Sequence, residues 1–403
     1  MTEALRRSFD SLHVPNYRRY FAGQVVSLSG NWMQMVAETW LVLELTGSGI
    51  AVGMTAAFQF LPILLFGAYG GLLADRYDKR RLLMLTQAVM ALPALGLWGL
   101  TPGGVIEPWM VFVLVFARGT VNAVDNPTRQ AFVIEMVGSK RLVNAVSLNS
   151  VIVHCARMVG PALAGLIIAA AGVEPCFLLN AVTFAVMIAA LSRMEVTELR
   201  TPQTVGREPG ALRAALRYVR NTPALAIPLA MMALVGTLGF NFQVLLPLLA
   251  KASFEGGPKT YGLLVSAMGV GSIAGALAVG ARGRVSLRIL IAASSAFGGF
   301  TLLAAAAPTL WFEVAALMLV GAASVTFAAG VNSSLQLAVE PAMRGRVMAL
   351  YSVVFLGSTP IGAPIAGWLS EAAGPRTGML LGAIAALVAA AAAQGAAARQ
   401  NPI

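Results

Sequence analysis

Twelve apolar stretches, each of about eighteen residues or more, recur along this chain, and nothing else constrains its fold as tightly. They cover 17–45, 49–74, 82–102, 107–135, 142–172, 175–192, 223–250, 260–282, 287–306, 309–338, 346–373 and 376–396. About 20 apolar residues in a helix cross the hydrocarbon of a bilayer, and a helix satisfies its own backbone there. Of the 403 residues 58% are hydrophobic and only 11% charged, where a soluble domain carries roughly 25% charged residues. The pattern predicts an all-α membrane protein with twelve transmembrane helices.

The net charge of +11 invites a nucleic-acid partner, but the placement of the cations argues for topology instead. Twenty-three of the 28 Lys and Arg residues fall on one face of the predicted spans. Lys251, Lys259 and Arg376 fall on the other, and Arg118 and Arg157 lie inside spans. That asymmetry is the positive-inside rule, with both termini cytoplasmic and no nucleic acid required. The start, MTEALRRSFDSLHVPNYRRY, is basic and polar with no short apolar region and cleavage site after it, and reads as a cytoplasmic start. Cys155 and Cys176 lie in or beside spans and read as small apolar residues, with no metal site implied.

One polar segment, 192–222, interrupts the rhythm and divides the chain into a six-span half at 1–191 and another at 223–403. Its second part sets Leu212, Leu216 and Val219 at helical spacing among Arg213, Arg217 and Arg220. A helix on the anionic membrane surface and a solvated linker both suit it. The halves echo each other: GPALAGLI at 160–167 matches GAPIAGWL at 362–369, and RLVNAVS at 141–147 matches RVMALYS at 346–352. An internal repeat of about 200 residues suggests a duplicated six-helix unit.

Polar ladders interrupt three of the spans. In the first, Gln24, Ser27, Asn31, Gln34 and Glu38 step by three and four, which keeps them on one helical face. Arg118, Asn122, Asp125 and Arg129 repeat the geometry in the fourth, and Ser147, Ser150, His154 and Arg157 in the fifth. A mid-membrane Asp costs about 2.5–3.5 kcal/mol on insertion scales, so such faces turn away from lipid. They either line a cavity or join helices by hydrogen bonds of about 0.6 kcal/mol each; for Asn31, Gln34, Asn122 and Ser150 both roles stay open. Glu38 favours function, because a carboxylate between a dry interior and a nearby Arg118 can take up and release a proton. His154 is a second proton-coupling candidate, or a neutral histidine bonded inside the bundle. Asp125 and Arg129 suit a structural ion pair.

Between the second and third spans lies GGLLADRYDKRRLL, with Gly71, Asp75, Arg76, Arg80 and Arg81 in the order G-x3-D-R-x3-R-R. Here the sequence resembles the major facilitator superfamily, whose loop between helices two and three has this form, usually with Gly where this chain has Asp78. RGTVNA at 118–123 resembles the superfamily's fourth-helix motif. RMVGPALAG at 157–165, with Gly160, Pro161 and Gly165, resembles the fifth-helix motif of its antiporters, although Ala156 replaces a usual Gly. DNPTRQAF, PCFLLNAVTF, YGLLVSAMGVGSIAG and PAMRGRVMAL resemble the enterobactin-exporter-like branch of drug and siderophore exporters. The likeness covers essentially the whole chain.

The resemblance implies two pseudo-symmetric six-helix bundles in a bacterial plasma (inner) membrane. It also implies a central cavity lined by helices one, four, seven and ten, to which Asn241, Gln243, Asn332 and Gln336 would contribute. In the loop motif, Asp75 would accept hydrogen bonds from a facing helix N-terminus as a cytoplasmic gate latch, and the arginines would bind carboxylates or lipid phosphates. No enzyme chemistry or cofactor is implied: FEGGPKT at 254–260 lacks the Gly-Lys-Ser/Thr order of a phosphate loop. The expected function is proton-coupled export of a drug-like molecule or siderophore by a monomer, with membrane lipids as its surroundings. Nutrient import, a proton-independent facilitator, and a non-transporting receptor or scaffold are the alternatives.

Overall fold

Gly138, at φ 70°, breaks the longest helical run of the chain and shows how sequence punctuates this protein. The computed structural model describes residues 9–199, 211–282, 286–340 and 343–400. Its elements are α1 (Pro15–Thr46), α2 (Gly49–Arg76), α3 (Lys79–Leu100), α4 (Pro108–Ala171), α5 (Glu174–Ser192), α6 (Ala211–Asn221), α7 (Pro223–Gly239) and α8 (Phe242–Ala252). There follow α9 (Pro258–Arg282), α10 (Leu287–Ala305), α11 (Leu310–Ala338), α12 (Arg344–Gly357), α13 (Thr359–Ala373) and α14 (Pro375–Gln400). Prolines open α4, α5 and α7, where the missing N–H is not needed. Gly172 and Gly374, both at positive φ, close α4 and α13.

Among the described residues, ten helical segments are long and apolar enough to cross a membrane. Helix α1 and the first limb of α4, up to the break at Gly138, are not among them. These two carry the Glu38 and Arg118 ladders, whose polar groups lower their hydropathy while leaving their length unchanged. One predicted span, 223–250, leaves helical geometry between α7 and α8 at Phe240 and Asn241, whereas 346–373 passes through Ser358 with a helical backbone (φ −74°, ψ −30°). Leu85, Leu92, Leu166, Val182, Leu277 and Ile384 are among many large apolar side chains left exposed on the helices. So much exposed apolar surface is the mark of a lipid-facing protein.

The chain divides into two compact units, Met1–Leu41 with Leu61–Val205, and Val42–Phe60 with Gly206–Ile403. In unit one α3 packs along α4 and α5, over a core that includes Tyr17, Tyr20, Leu83, Phe132 and Met187. In unit two α9 and α10 pack against α11, while α14 packs against α7 and α10. The ring of Phe240, at the α7–α8 break, meets Phe297, Phe327 and Phe355 edge-on. The Val42–Phe60 segment is bound into unit two by small residues: a Cβ on Gly49 or Gly53 would strike the carbonyls of Gly367 or Ala363. Glu371 caps the start of α2 by accepting from Ser48 Oγ at 2.6 Å and from the Ile50 N–H at 3.0 Å.

One local contact recurs in both units. A Cβ on Gly160 would meet the Ser29 carbonyl and Trp32 on α1, and one on Gly362 would meet the Thr237 carbonyl on α7. Gly160 and Gly362 are the first glycines of the two matching sequence segments. In each, the glycine lets two helices approach backbone to backbone.

Candidate functional site

Glu38 sits in unit one at 1% exposure, on the α1 face that its spacing predicts. Its Oε2 accepts from Arg118 on α4 at 2.5 Å, and its Oε1 accepts from Gln34 Nε2, one turn back on α1, at 2.7 Å. Gln34 in turn accepts from Asn180 on α5, which also reaches Asn31 at 3.5 Å. Three helices therefore hold one carboxylate by a charged hydrogen bond and a relay of amides. The Arg118 Nε has no partner, so the ion pair leaves one buried donor open. Asn180 went unnoticed in the sequence because it is a single amide within an apolar span.

A second buried cluster lies nearer the start of α1. Asp125 pairs with Arg129 one turn later on α4, and Arg129 donates to Gln24 at 2.9 Å. Asp125 also accepts from Thr86 at 2.6 Å and from Gln87 at 2.8 Å, and Ser27 donates to Gln87 at 3.2 Å. The expected ion pair is present, and α3 supplies two partners that sequence spacing gave no reason to choose. Gln24, Ser27 and Gln34 are thus buried in hydrogen bonds that join helices, at 3% exposure or less. Asn31 and Asn122 remain half-buried.

Within unit two, Asn241 is buried at the α7–α8 break, where its Nδ2 donates to the Thr237 carbonyl at 2.7 Å and its Oδ1 has no partner. Gln243 donates to Gln59 at 3.0 Å. Gln336 is exposed on α11 and donates to the half-buried Asn332. Glu313, in the first turn of α11, is fully buried with neither carboxylate oxygen hydrogen-bonded. Its position near the end of a span, off any polar ladder, gave it no signal in the sequence. Among the described residues no three His, Cys, Asp or Glu side chains gather as a metal site would require.

The model of the transmembrane secretion effector family, of the major facilitator type, matches residues 7–400. The chain belongs to that family. Its members are transporters, and this chain is a multi-pass membrane transporter, not an enzyme. The staphyloferrin A transporter of Staphylococcus aureus (strain NCTC 8325 / PS 47) is 27% identical over 63% of this chain; the chain spans 64% of that relative's length. The enterobactin exporter of Salmonella choleraesuis (strain SC-B67) is 26% identical, covering 88% of this chain and 86% of its own. The crystal structure of the nucleoside transporter NupG shares the fold at a TM-score of 0.75, with 13% identity, 94% of this chain and 98% of that one covered.

Against the superfamily's loop motif, the chain departs at Asp78 in an informative way. Asp78 does not form a left-handed turn; at φ −58° it is the N-cap of α3, its Oδ1 accepting from the Arg81 N–H at 2.7 Å. Arg80 is in no ion pair among the described residues. It donates to the last carbonyls of α5, Leu191 at 2.7 Å and Ser192 at 2.9 Å, where a cation complements the helix dipole. Asp75 and Arg76 are exposed at the end of α2, and neither is in a hydrogen bond or ion pair among the described residues. Gly71 is buried, and Arg81 is exposed. In the 157–165 segment, Gly160, Pro161 and Gly165 are all buried. His154 and Arg157 are half-buried; the His154 Nδ1 is unpartnered, and the Arg157 guanidinium lies over Trp32, 4.8 Å from the ring centre.

Proposed function

We propose that this protein exports a small drug-like molecule or siderophore in exchange for protons, by alternating access across a bacterial plasma membrane. Likeness to a staphyloferrin A transporter and an enterobactin exporter supports transport of such a substrate, and the second supports its export. The observation that carries proton coupling is the Glu38–Arg118 pair, a sealed ion pair with one arginine donor left open. Protonation of Glu38 would break the pair and free Arg118 to bind elsewhere, so charge transfer and conformation would change together. Within unit one, the half-buried Asn31 and Asn122 would supply polar contacts to substrate. The twelve predicted helices would form two six-helix halves on either side of a cytoplasmic 192–222 linker, with both termini cytoplasmic and a monomer as the working unit.

A growth screen of an expressing strain against varied toxic compounds would first supply a transported substrate. With it, substrate-induced proton movement is measured in proteoliposomes for wild type, Glu38→Gln and Glu38→Asp. Glu38→Gln keeps the size but cannot titrate, and with one acceptor oxygen it keeps only one of the two hydrogen bonds, so uphill efflux should collapse while downhill exchange persists. If Glu38→Gln moves protons at the wild-type stoichiometry, the carrier lies elsewhere.

A further inference from the structure

The polar ladders of α4 carry three arginines, and they are not equivalent. Arg118 is paired with Glu38 and Arg129 with Asp125. Arg157, midway along the second limb of α4, has no acidic partner among the described residues. It has the face of Trp32 instead. A guanidinium stays charged at any physiological pH, and a charge far along a membrane helix marks a functional site when no counter-ion accompanies it.

The setting of Arg157 shows where it turns. Of the exposed apolar positions of this limb, Val151, Cys155, Val159, Leu163 and Leu166 repeat at steps of four, four, four and three and share one face, while Val146 lies off it. Ser147, Ser150, His154 and Arg157 run along a different face. Arg157 and His154 are only half-buried there, so they can be reached from that side. The aromatic ring holds the cation through its face, and a guanidinium held that way keeps its in-plane N–H fork for a second partner. The buried, unpartnered His154 Nδ1 lies one turn away on the same stripe.

We infer that Arg157, with Trp32 and His154, is the subsite for a carboxylate group on the transported molecule. The fork matches the two oxygens of a carboxylate, and the indole offers an apolar wall for the carbon skeleton beside it. The substrate class is therefore a small organic acid with an apolar or aromatic body. This rests on the reading of the chain as a small-molecule transporter, but its test needs no transport.

The test uses one scaffold in two charge states, 2-naphthoate and 2-naphthamide, titrated by calorimetry against the full chain in nanodiscs without an ion gradient. Wild type should bind the carboxylate at least about tenfold more tightly than the amide, as a charged hydrogen-bonding pair predicts. Arg157→Gln should bring that ratio to about one. Arg157→Lys, which keeps the charge but not the fork, should hold an intermediate ratio and serves if the glutamine variant does not fold. A wild-type ratio near one, or a ratio unchanged in either variant, overturns the assignment. Loss of efflux in proteoliposomes with the ratio intact would instead count against the transport reading alone.

Discussion

Arg118 donates to the Glu38 carboxylate across 2.5 Å, joining two residues eighty positions apart within unit one. Both are almost fully buried, so neither can fall back on water. Removing one partner of such a pair costs about 3–5 kcal/mol, because the other is left as an uncompensated charge. Arg118→Gln is expected to lower the unfolding temperature of the detergent-solubilised protein steeply. Combining it with Glu38→Gln should recover most of that loss. A double variant as unstable as the sum of its singles would show that the two groups do not interact.

The glycines of unit one should respond with opposite signs. A Cβ at Gly160 would press on the Ser29 carbonyl and Trp32, whereas one at Gly99 would meet nothing. Gly160→Ala is expected to destabilise by about 1–3 kcal/mol through overpacking. Gly99→Ala, in open space on α3, should stabilise by about 0.5–1 kcal/mol as a better helix former. Thermal melts of the two single variants read the difference, and equal shifts would contradict the close approach of α4 to α1.

Asp78 separates a capping role from a turn role. Asp78→Ala removes the acceptor of the Arg81 N–H and should cost about 1 kcal/mol, whereas Asp78→Gly should cost only a few tenths. Melting of both variants checks this; a larger loss with Gly would assign the residue another role. Asp75→Asn, by contrast, should leave the melting temperature unchanged, since Asp75 is exposed. If the motif acts as a gate latch, that variant should slow transport at unaltered substrate affinity, measured as turnover beside equilibrium binding.

Topology follows from the charge asymmetry. With Cys155 and Cys176 replaced by Ala, single cysteines are placed at Gly257 and at Gly206, the latter outside the described residues. A membrane-impermeant thiol reagent applied to intact cells should label position 257 and spare 206. The reverse pattern would invert every span.

The helices and the Glu38 ladder were legible in the sequence because both are periodic: apolar length marks a span, and steps of three and four mark a face. What periodicity cannot encode is the partner on another helix. Asn180, Thr86 and Gln87 were invisible for that reason, since each is a lone polar residue whose role depends on which helix it faces. The pairing of Asp125 with Arg129 was readable only because both lie on one helix. At position 78 an aspartate replaces the superfamily's usual glycine, and its role as the cap of α3 rests on a backbone geometry that the loop pattern does not encode. The break at Phe240 and Asn241 follows Gly239, but glycines such as Gly67 and Gly96 sit inside unbroken helices of this chain, so the glycine alone did not mark it.

The ion pair between α1 and α4 also has a history within each molecule. Glu38 leaves the ribosome eighty residues before Arg118 does. At about 5–20 residues per second, α1 waits roughly four to sixteen seconds for its counter-charge. Neither α1 nor the first limb of α4 is among the helices apolar enough to count as membrane spans by composition, and each carries one member of the pair. A chain without Arg118 would hold the Glu38 carboxylate uncompensated from synthesis onward, so Arg118→Gln is expected to lower the amount of protein inserted as well as its stability.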